Sequence, residues 1–525
     1  MSAPGSLGLF ASHELRLAWR DAQSMMLAGS ASRAPALLVV FLVFAAFMHA
    51  LAFSLVARFA SITQPDKAVL IVISGAALMS WSLMLSQAME SVTRVLYARA
   101  DLDLILSSPV DQRRVFCVRI GVVAISVTVM ALLLAAPFIN VLALGGGRHW
   151  LAAYGVVVAM GAAAAGLAVA LTAGLFRTIG PRRTRLIAQI LAAVVGAAFV
   201  IGIQAAAILS YGTLSRFAVL QSQAVVARAP DVGIMIFWPA RAILGDTTAL
   251  CAVLGASFAV LIGSIAVFAA RFGGYAIDAA SLSHAAARVT RVTRGFRRAS
   301  PQRTLRRKEW LLLRRDPWLM SQTLMQLLYL LPPGLLLWRS FADGSDALVL
   351  LVPVLVMAAG QLAGGLAWLA ISGEDAPDLI ATAPVTATLI VRAKIEAVMA
   401  GIAAVFAPFL FAMALASPLH ALVTGVAITL AAAAATQIQW WFRSQARRTQ
   451  FQRRHTASRL ATYAEAFASI SSASTAALAA AGSPLAAFPA LGTVIVLLAA
   501  FAISPRPARS DRRLSMTRRS GSAAV

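Results

Sequence analysis

Two short segments of this 525-residue chain carry the residue types best suited to specific recognition. Asp101, Leu102, Asp103, Leu104 and Ile105 mix carboxylates with large aliphatics, and the run stops at Ser107-Ser108-Pro109. Proline disfavours helical backbone at the residue before it, so the spacing predicts a short helix that ends ahead of Pro109. Glu374, Asp375, Asp378 and Leu379 repeat the mixture and stop at Pro384. The chemistry is docking rather than catalysis: the acids would meet a basic groove on a soluble partner, while Leu104 and Ile105 fill a pocket. The competing reading is that the leucines only tuck each loop under its own helices.

Catalytic patterns are missing elsewhere. There is no GxxxxGK[ST] phosphate loop, so the chain is not expected to hydrolyse ATP itself or to hold a nucleotide cofactor. HExxH and GxSxG are also absent, and six scattered His offer no metal-ligand spacing. Cys117 and Cys251 fall in separate apolar runs and read as small buried side chains. A charge at the centre of a bilayer costs about 2.5–3.5 kcal/mol on insertion scales, so a buried ionisable group signals function. His49 is the candidate nearest the middle of an apolar run, either as a helix-to-helix hydrogen bond or on a translocation path. Asn140, Gln204 and Gln361 read the same way. Glu90 and Glu396 lie at run ends, and Gly360 and Gly364 form a GxxxG suited to close helix packing.

The elements that must position these residues follow from composition. The chain is 60% hydrophobic and 12% charged, with mean hydropathy +0.81, against about 25% charged residues in a soluble domain. A helix needs about 20 apolar residues to cross a bilayer. Twelve runs approach that length: 35–60, 68–90, 115–143, 149–176, 186–210, 249–271, 321–338, 347–372, 395–417, 419–442, 461–482 and 485–503. The eleventh is rich in Ala and Ser and is the weakest, with a re-entrant or interfacial segment as its alternative. The fold class is therefore all-α, a polytopic integral membrane protein. The polar first 34 residues and the long first run predict a retained anchor rather than a cleaved signal peptide.

Charge sets the expected orientation. The net charge is +25, almost all from Arg, with Lys only at Lys67, Lys308 and Lys394. The cations flank the spans, so the positive-inside rule accounts for them and nucleic acid is not the expected partner. Arg is dense in 91–114, 177–185, 272–320, 443–459 and 504–525 and sparse in the loops between. That alternation predicts both termini in the cytoplasm, in the inner membrane of a bacterium. It divides the chain into a first half (1–271), a basic linker with an interfacial helix (272–320), a second half (321–503) and a basic tail (504–525). The linker would lie on anionic lipid headgroups.

The halves read as repeats. "HELRLAWRDAQSM" (13–25) aligns with "KEWLLLRRDPWLM" (308–320), matching Glu14 with Glu309, Arg20 with Arg315 and Asp21 with Asp316. "DLILSSPVDQRRVFCVRI" (103–120) aligns with "DLIATAPVTATLIVRAKI" (378–395), matching Asp103 with Asp378, Pro109 with Pro384 and Arg119 with Lys394. Equivalent positions in both halves imply two parallel repeats of about six spans. The first element would lie in the headgroup layer, with Trp19 or Trp310 at the interface and Arg side chains reaching to phosphates.

At these residues the chain resembles the membrane (permease) subunits of type-2 ABC exporters. Their interfacial "KE-L---RDP" helix is seen at Lys308, Glu309, Arg315, Asp316 and Pro317. Their "DLDLLLSSPV---RVF--R" loop is seen at Asp101, Leu102, Asp103, Leu104, Ser107, Ser108, Pro109, Val110, Arg114, Val115, Phe116 and Arg119. The resemblance implies that 97–120, with its counterpart at 372–385, is a coupling helix contacting a separate ATPase subunit, two copies of which would bind ATP and Mg. It also implies an extracytoplasmic segment at 211–248, ending "FWPARAILGD". With few charges on the path, the expected cargo is a lipid, peptide or hydrophobic compound. Two other classes fit the same topology: a twelve-span ion-coupled carrier, and a membrane scaffold without transport.

Overall fold

The computed structural model describes residues 8, 10–17, 20, 34–62, 66–97, 111–211, 219–271, 274, 300–315, 324, 328, 330–336, 347–372, 382–442 and 459–504. These residues are helical or connect helices, with no strand among them. The chain forms two compact units: Met1–Ala299 with Arg314–Ser345, and Ser300–Leu313 with Asp346–Val525.

In the first unit, residues 10–17 are helical and precede α1 (Ala34–Val56), α2 (Lys67–Tyr97), α3 (Gln112–Gly146) and α4 (Ala152–Tyr211). Short helices α5 (Gln223–Arg228) and α6 (Trp238–Ile243) lead into α7 (Thr247–Ala269). α4 is broken at Gly180, whose φ of 74° is a left-handed value that favours glycine. The break separates two span-length runs, Arg148–Gly180 and Leu186–Leu209. Gly147 caps the C-terminus of α3 with φ 109°.

The second unit begins with α8 (Pro301–Arg315), of which it holds the residues up to Leu313, and continues with α9 (Ala347–Ser372), α10 (Ala387–Ala416), α11 (Pro418–Trp441), α12 (Arg459–Ala480) and α13 (Ala487–Ile503). Only Ser417 separates α10 from α11.

Nine runs among the described residues are long and apolar enough to cross a membrane. They correspond to nine of the twelve runs expected from the sequence. The first expected run also forms a helix, α1, and 461–482 forms α12, 22 residues long but too polar to count among the nine. The run 321–338 is described only at 324, 328 and 330–336.

Side-chain burial is inverted relative to a water-soluble bundle. Phe411, Leu415, Leu422, Leu430, Phe488 and Leu498 are all more than 60% exposed. Alanine fills the inside, as at Ala162, Ala165 and Ala168 of α4 and Ala431, Ala432 and Ala435 of α11. Lipid tails solvate exposed leucine as well as a protein core does, so small residues that let helices approach dominate the contacts. The protein is a multi-pass membrane protein.

The first unit's core is formed by Met84, Leu85, Met89 and Val92 of α2 with Phe116, Ile120 and Val127 of α3 and the α4 alanines. Phe10, from the N-terminal helical stretch, packs against it.

Candidate functional site

The elements before and after the two acidic segments meet through ion pairs. In the first unit, Glu14 Oε1 lies 3.8 Å from Arg119 Nε. In the second, Glu309 Oε1 lies 3.5 Å from Lys394 Nζ. The sequence alignments match Glu14 with Glu309 and Arg119 with Lys394, and each unit joins its own two. The same register matches Gln112, the first residue of α3, with Ala387, the first of α10. Each pair therefore ties a helical segment that precedes the spans of its unit to the opening turns of the helix that follows an acidic segment.

The second pair is more enclosed. The Glu309 and Lys394 side chains are 3% and 8% exposed, against 18% and 10% for Glu14 and Arg119. Lys308 Nζ also reaches Glu309 Oε1 at 3.2 Å, and Lys394 donates to the carbonyl of Ala370 near the end of α9. Two of the chain's three lysines thus converge on one carboxylate. A neighbouring set reinforces the contact. Glu396 accepts from Arg392 Nε at 2.9 Å and Gln302 Nε2 at 3.2 Å, and also from Arg306 Nε. The first unit has Cys117 and Gly121 at the positions matched to Arg392 and Glu396, so it carries no such set there.

Charged residues survive here because they are paired. Removing two ions from water costs several kcal/mol each, which only close countercharges and hydrogen bonds offset.

Of the residues expected to dock a partner, Pro384 is described and is exposed. Asp101, Asp103, Leu104, Ile105, Pro109, Glu374, Asp375, Asp378 and Leu379 lie outside the described residues, as do Trp19, Asp21 and Asp316. Arg20 is helical and exposed, Arg315 closes α8, and Trp310 is 43% exposed on α8, one residue from the buried Glu309.

His49 joins three helices. Its Nδ1 lies 2.7 Å from the carbonyl of Ala45, which only accepts, so Nδ1 carries the hydrogen. Nε2 then accepts from Asn140 Nδ2 at 3.3 Å, and Asn140 Oδ1 accepts from Tyr154 OH at 2.6 Å. One arrangement of the imidazole satisfies α1, α3 and α4 together.

Other buried polar groups were not singled out from the sequence. Glu465 of α12 is 8% exposed and accepts from Gln439 Nε2 of α11. Glu465, Ser469 and Ser472 form a buried stripe at helical spacing, and Glu465 and Ser469 lie against Gly364 and Gly360 of α9. A side chain at either glycine would collide with them, so the GxxxG does serve close packing. The sequence signal for Glu465 is a lone acid inside a span-length Ala/Ser-rich run. The reading of both cysteines as buried needs correction: Cys117 is half-buried, and Cys251 is exposed on α7, where the surroundings of an apolar helix are lipid.

At the opposite end of the first unit's helices, Asp246 caps α7. It accepts from Thr248 N at 3.0 Å, Thr248 Oγ1 at 2.6 Å and Ala249 N at 3.1 Å, and pairs with Arg241 Nη2 at 2.5 Å. The Thr248 hydroxyl, the Ala249 amide and Arg241 hold its carboxyl down at a pKa of about 2. Among the described residues, no group of three His, Cys, Asp or Glu is arranged to hold a metal.

Comparison of the chain with protein-family models, with curated proteins and with solved structures finds no match.

Proposed function

We propose that this chain is the membrane subunit of an ATP-driven exporter of the type-2 ABC kind, two fused halves worked from the cytoplasm by a separate ATPase dimer. Energy would enter through Asp101–Pro109 and Glu374–Pro384. Both termini would face the cytoplasm of a bacterial inner membrane, and the halves would be parallel repeats.

The observation that carries this reading is the repeated pair, Glu14–Arg119 and Glu309–Lys394. α3 and α10 each start within three residues of the proline that ends an acidic segment. A force on that segment reaches the start of the helix, and the ion pair makes the interfacial helix move with it. Such a paired lever suits a gate driven from outside the chain, and the lack of a GxxxxGK[ST] phosphate loop in the sequence fits a motor on another subunit.

Co-purification tests the proposal. An ATPase subunit should be recovered with the full chain, and Asp101→Ala with Asp103→Ala should release it. Transport by the reconstituted chain alone, with no nucleotide, would end this reading. Ion coupling is the second reading, and Glu465 favours it, because a buried carboxylate on a span-length helix is the group such carriers need. Transport by the chain alone that follows an ion gradient and fails in Glu465→Gln would establish it.

A further inference from the structure

We infer that the groove at the start of α10 is a binding site for an anionic phospholipid, its headgroup over Arg392, Glu396 and Arg306 and an acyl chain along Val391, Ile395 and Trp440. The site rests on the membrane-spanning character of the chain and is independent of any coupling to ATP.

The groove follows from the hairpin. The single-residue turn at Ser417 folds α11 back along α10, which brings Trp440 near the end of α11 beside the first turns of α10. The opening has a volume of about 520 Å³ and is lined by Ala387, Thr388, Val391, Arg392, Ile395, Glu396 and Trp440. The α10 residues recur at one helical face. The floor is apolar, and Ile395 is 38% exposed. An apolar strip on a spanning helix meets acyl chains, and Trp favours the headgroup level.

Charge selects the kind of lipid. Glu396 is shared by two guanidiniums, Arg392 and Arg306, so the rim carries one uncompensated positive charge. The Arg392 side chain remains 68% exposed and Arg306 49% exposed, so both can turn N–H groups to a phosphate while still holding Glu396. Arg303 and Arg307, each one residue beyond a tie to Glu396, are exposed on α8 and add to the local potential. A zwitterionic lipid has no use for the extra charge.

The test uses the full chain in nanodiscs of mixed phosphatidylcholine and phosphatidylglycerol, with bound lipid counted by native mass spectrometry. Phosphatidylglycerol should be retained above its share of the bilayer. Arg392→Gln should weaken its retention about fivefold, the value of one basic residue near an anionic surface, and Arg392→Lys should keep most of it. Glu396→Gln should raise retention, because it frees both guanidiniums, whereas a merely structural groove would lose lipid in both variants. Arg113→Gln, the same charge loss at the start of α3, should leave retention unchanged. Equal retention of the two lipids would overturn the site, as would an equal loss in Arg113→Gln or a groove occupied by a co-purified polypeptide in place of lipid.

Discussion

Glu309 and Lys394 face each other at 3.5 Å, nearly free of solvent, and join α8 to α10. The two residues come from separate segments, and the residues that align with them in the first half, Glu14 and Arg119, also pair. Each pair joins the helical segment before an acidic segment to the opening turns of the helix after it. The acid stays Glu in each half, and the cation changes from Arg to Lys.

The first prediction concerns that pair. Glu309→Gln leaves Lys394 and Lys308 without their shared carboxylate, and breaking a buried ion pair costs about 3–5 kcal/mol. Glu14→Gln should cost less, about 1–3 kcal/mol, because Glu14 is the more exposed acid and its pair is longer, at 3.8 Å, although Arg119 stays buried. Thermal unfolding of the purified protein in detergent ranks the two. Exchanging the charges in Glu309→Lys with Lys394→Glu should recover part of the loss, and equal melting of Glu309→Gln and wild type would remove the pair from the account.

Much of this was legible in the sequence, for physical reasons. Span-length runs such as 115–143 and 249–271 became α3 and α7 because hydropathy over about 20 residues is a local property. The repeat alignment identified Glu14, Glu309, Arg119 and Lys394 as equivalents, but their pairing is tertiary and no spacing announces it. Glu396 read as a span-end charge and instead ties α8 to α10, because α10 starts at Ala387 and its first turns run beside α8. Glu465 is not legible as a buried acid because Ala and Ser dilute the apolar signal of α12, and the polar stripe that weakens the hydropathy is the face that packs inward.

A second prediction follows from the His49 network. Asn140→Leu leaves both His49 Nε2 and Tyr154 OH without a partner, at a cost of about 1–3 kcal/mol for buried groups left unsatisfied. Tyr154→Phe removes one donor and leaves the His49–Asn140 bond intact, so about 0.6 kcal/mol is expected, the average for such bonds in membranes. If His49 only links helices, His49→Gln should keep transport while lowering stability slightly. Loss of transport in a stably folded His49→Gln would move the residue to the translocation path.

Glycine contacts give a third. A Cβ at Gly166 of α4 would sit 2.8 Å from Leu261 Cα and 2.9 Å from Leu261 N of α7, and backbone cannot move aside as a side-chain tip can. A Cβ at Gly364 would meet the carboxylate end of Glu465, which can rotate away. Gly166→Ala should therefore cost about 1–3 kcal/mol by overpacking, and Gly364→Ala less. Denaturation of the two variants side by side decides the order, and a reversed order would mean that Glu465 is held as rigidly as backbone.

The last prediction is a pH dependence at Asp246. The Thr248 hydroxyl, the Ala249 amide and Arg241 bond its charged form, so the folded-state pKa falls to about 2, below the value of about 3.9 expected in an unfolded chain. A depressed carboxyl contributes its full stability above the unfolded pKa and loses it as pH falls toward the folded one. Wild type should then lose stability between about pH 4 and pH 2 more steeply than Asp246→Asn, which cannot titrate yet can still accept from the helix amides. Melting temperatures of both proteins across that window give the comparison. Parallel curves would mean that Asp246 is no more tightly held in the fold than in the unfolded chain, and the cap on α7 would then rest on neutral hydrogen bonds alone.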